Sequence, residues 1–141
     1  MQEAEQACRR GTAYWIKGQL DRAIAKFSEA IELDPQYAKA YCNRGTAYFD
    51  QGDTARALDD FEHAVRLDPG YARSYNNRGF VLKSIGQLDR AIADYTQAIR
   101  LDPAYAEAYH NRGLAYAARG DAPQAEADQA KYRELLAARK R

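Results

Sequence analysis

Cysteine and proline are scarce in this 141-residue chain, at two and four residues. Cys8 and Cys42 are too few for a disulfide framework and too far apart for a CxxC redox or metal motif, so a reducing cytoplasm is the expected location. No stretch approaches the ~18 consecutive apolar residues of a membrane span. The opening Met1-Gln2-Glu3-Ala4-Glu5 has neither the basic nor the apolar region of a secretory signal. Charge of one sign is also lacking, because 21 Lys plus Arg face 20 Asp plus Glu for a net +1. Without a basic excess there is no broad footprint for nucleic acid or an anionic membrane, and neither is expected as a partner. The motifs of catalysis are missing too: there is no GxxxxGKS/T loop, no HExxH and no GxSxG. His63 and His110 stand far apart, with no Cys or carboxylate at metal-ligand spacing. The expectation is a protein that is not an enzyme and uses no cofactor and no metal.

What the sequence does have is a period. Asp34-Pro35, Asp68-Pro69 and Asp102-Pro103 recur every 34 residues, as do Gly11, Gly45, Gly79 and Gly113. Four units, 4–37, 38–71, 72–105 and 106–139, fill nearly the whole chain as one repeat domain. Numbered from the first residue of each unit, position 4 (Ala7, Tyr41, Tyr75, Tyr109), position 8 (the glycines) and position 11 (Tyr14, Tyr48, Leu82, Tyr116) form one helical stripe. Gly18, Gly52, Gly86 and Gly120 then mark a turn. A second stripe follows, as in Ala23, Phe27 and Ala30, with Asp53 and Asp121 as N-cap residues for two of the second helices. The Leu-Asp-Pro sequences stop that helix, since a residue before proline is pushed out of the helical region. Each unit therefore reads as helix, turn, helix. The glycine at position 8 costs about 1 kcal/mol against alanine in a helix. Its recurrence calls for close packing, with Ala23, Ala57, Ala91 and Ala125 opposite it and aromatic rings filling the flanks.

A further regularity lies at position 7, which is Arg10, Arg44, Arg78 and Arg112, set against Lys26, Asp60, Asp94 and Asp128 at position 23. Units two to four are expected to tie their helices together with an Arg–Asp pair that unit one lacks.

This pattern of Gly at 8, Tyr at 11, Ala at 20, aromatic at 24, Ala at 27 and Pro at 32 resembles the tetratricopeptide repeat family. The resemblance implies an all-α, right-handed superhelical solenoid of four helix-turn-helix repeats. The fourth unit departs from it, with Gln129 at position 24, Tyr132 at 27 and Pro123 early in the second helix, so Pro123 to Arg141 reads as a closing helix.

In the family, the first helices line a concave groove with positions 2, 5, 6, 9, 12 and 13. Asn43, Asn77 and Asn111 at position 6 form a ladder of amides suited to the backbone of an extended peptide, as in family members with such a ladder; the other reading is that each amide bonds the neighbouring repeat. Lys39 and Arg73 at position 2 favour an acidic group on the ligand, or else pair between repeats. Trp15, Phe49 and Phe80 are candidate side-chain pockets, with packing of the next repeat as the alternative for the first two. The clamp by which some members hold a chaperone's C-terminal carboxylate is matched here only at Asn43 and Arg73, which disfavours that role. The implied function is a non-catalytic module binding a protein or peptide partner in the groove. The alternative is a structural unit that stacks or dimerises through its repeat ends as a homo-oligomer, because Met1 to Ala7 starts without a polar capping helix.

Overall fold

The computed structural model describes residues 2–140, and every regular element among them is helical. The helices are α1 (Gln2–Ile16), α2 (Leu20–Leu33), α3 (Ala38–Asp50), α4 (Thr54–Leu67), α5 (Ala72–Ser84), α6 (Leu88–Leu101), α7 (Ala106–Arg119) and α8 (Ala122–Arg139). They form two compact units, Met1–Gly70 and Tyr71–Arg141. In the first, α1 packs on α2, α2 on α3 and α3 on α4; in the second, α5 to α8 pack in the same succession.

The turn inside each helix pair is set by one glycine. Gly18, Gly52, Gly86 and Gly120 take φ of 76°, 85°, 82° and 93°, a region that costs other L-residues about 1–2 kcal/mol. The reversal it allows lets the following N–H close the helix: Gln19 donates to the Tyr14 carbonyl at 2.9 Å and Asp121 to Tyr116 at 2.8 Å. The second helices end as the Asp-Pro steps require. Asp34, Asp68 and Asp102 leave the helical region, and their carboxylates accept from the N–H of Gln36, Gly70 and Ala104, each at 3.1 Å.

Of the two expected N-caps, Asp53 accepts from the Arg56 N–H at 3.2 Å. Asp121 does not cap α8. Its carboxylate is taken by Arg119, whose Nε lies 2.6 Å away and which also reaches Asp89 at 2.8 Å. A charge-assisted bond to guanidinium outcompetes the neutral backbone donor. Pro123 sits in the first turn of α8, where its missing N–H has no intrahelical partner to lose.

The glycine at position 8 has a more specific partner than small residues alone. A Cβ on Gly11 would lie 2.5 Å from the Phe27 ring, on Gly45 3.0 Å from Phe61, and on Gly79 2.8 Å from Tyr95. The position-24 ring thus lies over the glycine itself, where filling of the flanks was expected. The alanine at position 20 contributes its backbone, with the Ala57 and Ala91 carbonyls 3.2 Å from the same Cβ sites on Gly45 and Gly79. In the fourth repeat Gln129 takes the ring's place.

Three Arg–Asp pairs join the helices of repeats two to four. Arg44 grips Asp60 through two bonds of 2.8 Å, Arg78 grips Asp94 through two of 2.8 Å, and Arg112 grips Asp128 at 2.8 and 2.7 Å. Arg44 also donates to Ser28 Oγ in the preceding repeat at 3.1 Å, and Arg112 to Thr96 Oγ1 at 3.2 Å. Tyr41 and Tyr48 flank the Arg44 guanidinium, each with its ring centre 5.7 Å away. Bonding to Asp60 outweighs burial and raises the Arg44 pKa further above its already high value. In repeat one Lys26 stands at the aspartate position and turns to Glu29 at 3.1 Å, and Arg10 has no carboxylate partner among the described residues.

Tyr95 breaks the economy of this core. It is fully buried, and its hydroxyl has no hydrogen-bond partner among the described residues. Phe27 and Phe61 fill the same position without a hydroxyl. Tyr95→Phe is therefore expected to raise stability by about 1 kcal/mol in denaturant unfolding at neutral pH, because it removes an unpaired buried polar group. Burial also pushes the Tyr95 hydroxyl pKa well up. A raised folded-state pKa means stability that is whole below the unfolded value of about 10 and is lost as pH rises above it, so the advantage of Phe should widen in alkali.

Candidate functional site

The expected binding residues lie on the first helices, Trp15 and Phe49 one turn after the stripe glycines Gly11 and Gly45, and each unit holds four of them. In Met1–Gly70 these are Trp15, Lys39, Asn43 and Phe49; in Tyr71–Arg141 they are Arg73, Asn77, Phe80 and Asn111.

In the first unit, Asn43 is 7% exposed and its amide donates to Cys8 Sγ of the preceding repeat at 3.4 Å. Trp15 is half-buried against the core, and its indole N–H donates to Asp50 Oδ2 of α3 at 2.6 Å. Phe49 is also half-buried, while Lys39 projects into solvent. Lys39 lines a cavity of about 420 Å³ with Glu5, Cys8, Arg9, Thr12 and Tyr37. Arg9 occupies the position that is asparagine in the other repeats. Its side chain is 80% exposed and, among the described residues, has Glu5 as its ion-pair partner at 4.0 Å.

In the second unit, the Asn111 amide donates to Asn76 Oδ1 of the preceding repeat at 3.1 Å. Asn77 is half-buried and Arg73 exposed. Phe80 and Leu114, which share position 9 of successive repeats, are 49% and 42% exposed. Leu114 also lines an open cavity of about 370 Å³ with Gly113, Ala117, Ala125, Gln129 and Arg133, next to the site where glutamine replaces the ring. His110 is bound into the helix pair: Gln129 Oε1 lies 2.9 Å from its Nδ1 and the Tyr132 ring centre 4.6 Å from its own. Glu107 is gripped by Arg139 at 2.8 and 3.2 Å, which holds its carboxyl below the usual range despite some burial.

The Asn43 and Asn111 amides thus each spend a donor on the repeat before them, in both cases from position 6 to position 5. Leu114, Arg9 and Glu5 are displayed on the same faces and lay outside the expected set. For Arg9 the signal was its departure from the asparagine ladder, and for Leu114 its register with Phe80. Among the described residues no three His, Cys, Asp or Glu side chains gather to hold a metal ion, and no helix is long and apolar enough to cross a membrane.

A model described as TPR repeat matches residues 11–52 and 81–120, and two described as tetratricopeptide repeat match 38–71 and 61–93. No curated protein matches the chain. Among solved structures, a crystal structure of MamA is 30% identical over 97% of this chain and 80% of its own, with a TM-score of 0.85. The first TPR of Spaghetti (RPAP3), bound to the HSP90 peptide SRMEEVD, is 28% identical over 84% of this chain and 94% of its own, with a TM-score of 0.79. MamA from Desulfovibrio magneticus RS-1 is 24% identical over 96% of this chain and 76% of its own, with a TM-score of 0.81, and shares the fold.

Proposed function

The chain belongs to the tetratricopeptide repeat family, and from that premise we propose that it is a non-catalytic binding module that holds an extended peptide segment of a partner protein against the first helices of its repeats. The observation that carries this reading is the pair Phe80 and Leu114. Two large apolar side chains at one repeat position stand nearly half-exposed, while Gly79, Leu82 and Gly113 on the glycine stripe of the same helices are buried. Apolar groups left on a polar rim are typical of surfaces that meet a partner. Asn77 and Asn111 lie three residues, about one helical turn, before Phe80 and Leu114, and Asn111, whose amide already donates once to Asn76, retains a second N–H and its carbonyl oxygen for a peptide backbone. The RPAP3 domain, of similar fold, is bound to a short peptide, which supports peptide binding here. Lys39 and Arg73 would draw an acidic group, and Trp15 and Phe49 would flank the ligand in the first unit. A flexible ligand on an open surface carries an ordering cost, so affinity on the order of micromolar is expected.

Stacking of copies through the repeat ends has less support. Where α3 buries Ala40 and Ala47, α1 presents Gln6 and Ala13, both exposed, with Arg10 between them. Where α2 turns Ile24 and Ile31 to the core, α8 carries Glu126 and Arg133. Copying the internal packing at either end would bury polar groups.

Peptides selected from a random displayed library on the full chain test the proposal. They should bind with micromolar Kd and lose at least about tenfold in affinity, roughly one good polar contact, in the Asn43, Asn77, Asn111 to Ala variant. Selection of no peptide, with the chain sizing as a concentration-dependent oligomer, would turn the reading toward self-assembly.

A further inference from the structure

The cavity in the first unit has a charge that the rest of its repeat face does not explain. Two cations, Arg9 from α1 and Lys39 from α3, border one space of about 420 Å³, and a single carboxylate, Glu5, answers them. Like charges around one cavity repel unless something sits between them. Glu5 does this poorly. It touches Arg9 at the limit of ion-pair reach, 4.0 Å, and its own side chain is 51% exposed. Lys39 has no ion-pair partner among the described residues. The site is therefore left with a net positive charge and a guanidinium fork whose donors are largely unused. Thr12 adds a different group: its hydroxyl donates to the Cys8 carbonyl at 3.2 Å, which leaves the oxygen's lone pairs available to an incoming N–H.

We propose that this cavity is the subsite for an acidic side chain of the bound peptide, its carboxylate bridging Arg9 and Lys39 with Glu5 as the intramolecular competitor it displaces. Carboxylate on guanidinium is the pairing that uses two parallel N–H donors at once. The Thr12 oxygen would accept the backbone N–H of the same residue, fixing the chain direction at this end of the first unit. The inference rests on the peptide-binding reading above and adds to it one residue preference at one place. It differs from the terminal-carboxylate clamp of the family, of whose positions this sequence matches only Asn43 and Arg73, and among which Arg9 and Lys39 do not figure.

The probes are two blocked pentapeptides, acetyl-Ala-Ala-Glu-Ala-Ala-amide and its Gln counterpart, titrated into the isotope-labelled full chain and followed by NMR. The Glu peptide should shift the Arg9 Nε–H and Thr12 amide signals saturably, and the Gln peptide should bind about tenfold more weakly, as loss of a charge-assisted bidentate contact requires. Arg9→Gln should erase the preference for Glu. Glu5→Gln should tighten the Glu peptide, which no purely structural role for Glu5 would do. Both residues are exposed, so both variants should keep the parent helical signal. Equal binding of the two peptides, lost in the triple asparagine variant, would overturn the subsite and leave the groove reading standing. A Glu preference that survives the asparagine changes but falls with Arg9→Gln would keep the subsite and overturn the ladder. Absence of binding by either peptide at Arg9 and Thr12 would overturn the subsite, and its absence everywhere would overturn both.

Discussion

Asp60→Ala is expected to destabilise the protein by about 3 kcal/mol, the cost of leaving one charge of a buried pair without its partner. Asp60 is only 5% exposed as a side chain, and the Arg44 guanidinium it holds is 20% exposed. The arginine that remains would be flanked by the Tyr41 and Tyr48 rings and would keep its hydrogen bond to Ser28 Oγ, too little to repay its lost hydration. The loss should be smaller in Asp60→Asn, which keeps an acceptor. It should largely disappear when Arg44→Met and Asp60→Leu are combined, since apolar replacement removes the need for compensation. Urea unfolding of the three variants checks the order. A double variant as unstable as Asp60→Ala would mean that the pair contributes more than charge neutralisation.

Gly79→Val should cost a similar amount, about 3 kcal/mol, through overpacking. A Cβ there lies 2.8 Å from the Tyr95 ring and 3.2 Å from the Ala91 backbone carbonyl. Neither neighbour can withdraw easily, because Tyr95 is fully buried and Ala91 sits inside α6. The gain in helix propensity over glycine, about 1 kcal/mol at most, is too small to offset this. Gly113→Ala provides the control. Its Cβ would meet the amide end of Gln129 at 2.7 Å and Asp128 Cβ at 3.2 Å; the amide is the end of a flexible side chain and can shift at the expense of its bonds to His110, so the loss should be under that of Gly79→Val. Thermal melts that rank the two variants the other way would show that the ring over the glycine is not what fixes the helix spacing.

The helix pairs, their turns and the Arg–Asp ties were legible in the sequence because each depends on residues inside one repeat, where spacing determines which side chains face each other. Arg78 and Asp94 are 16 residues apart in every copy that has them, and the geometry follows. The Asp121 cap was misread because its competitor, Arg119, lies two residues upstream and only the folded turn brings the guanidinium onto the carboxylate. The binding face was the least legible part. Whether an asparagine amide is open to a ligand depends on the residue 35 positions earlier, Cys8 for Asn43 and Asn76 for Asn111. That contact crosses from one repeat to the next, and its chemistry changes with the partner residue. Arg9 could be seen as the odd member of the ladder, yet its meeting with Lys39 over a common cavity needed the packing of α1 beside α3.

Trp15 is the chain's one tryptophan, and its indole N–H is fixed to Asp50. All tryptophan fluorescence of the molecule therefore originates in the Met1–Gly70 unit, while circular dichroism sums the helices of both halves. Denaturation curves followed by the two signals will coincide if the halves unfold as one and separate if they do not. The native sequence thus carries its own optical label for the order in which its repeats unfold.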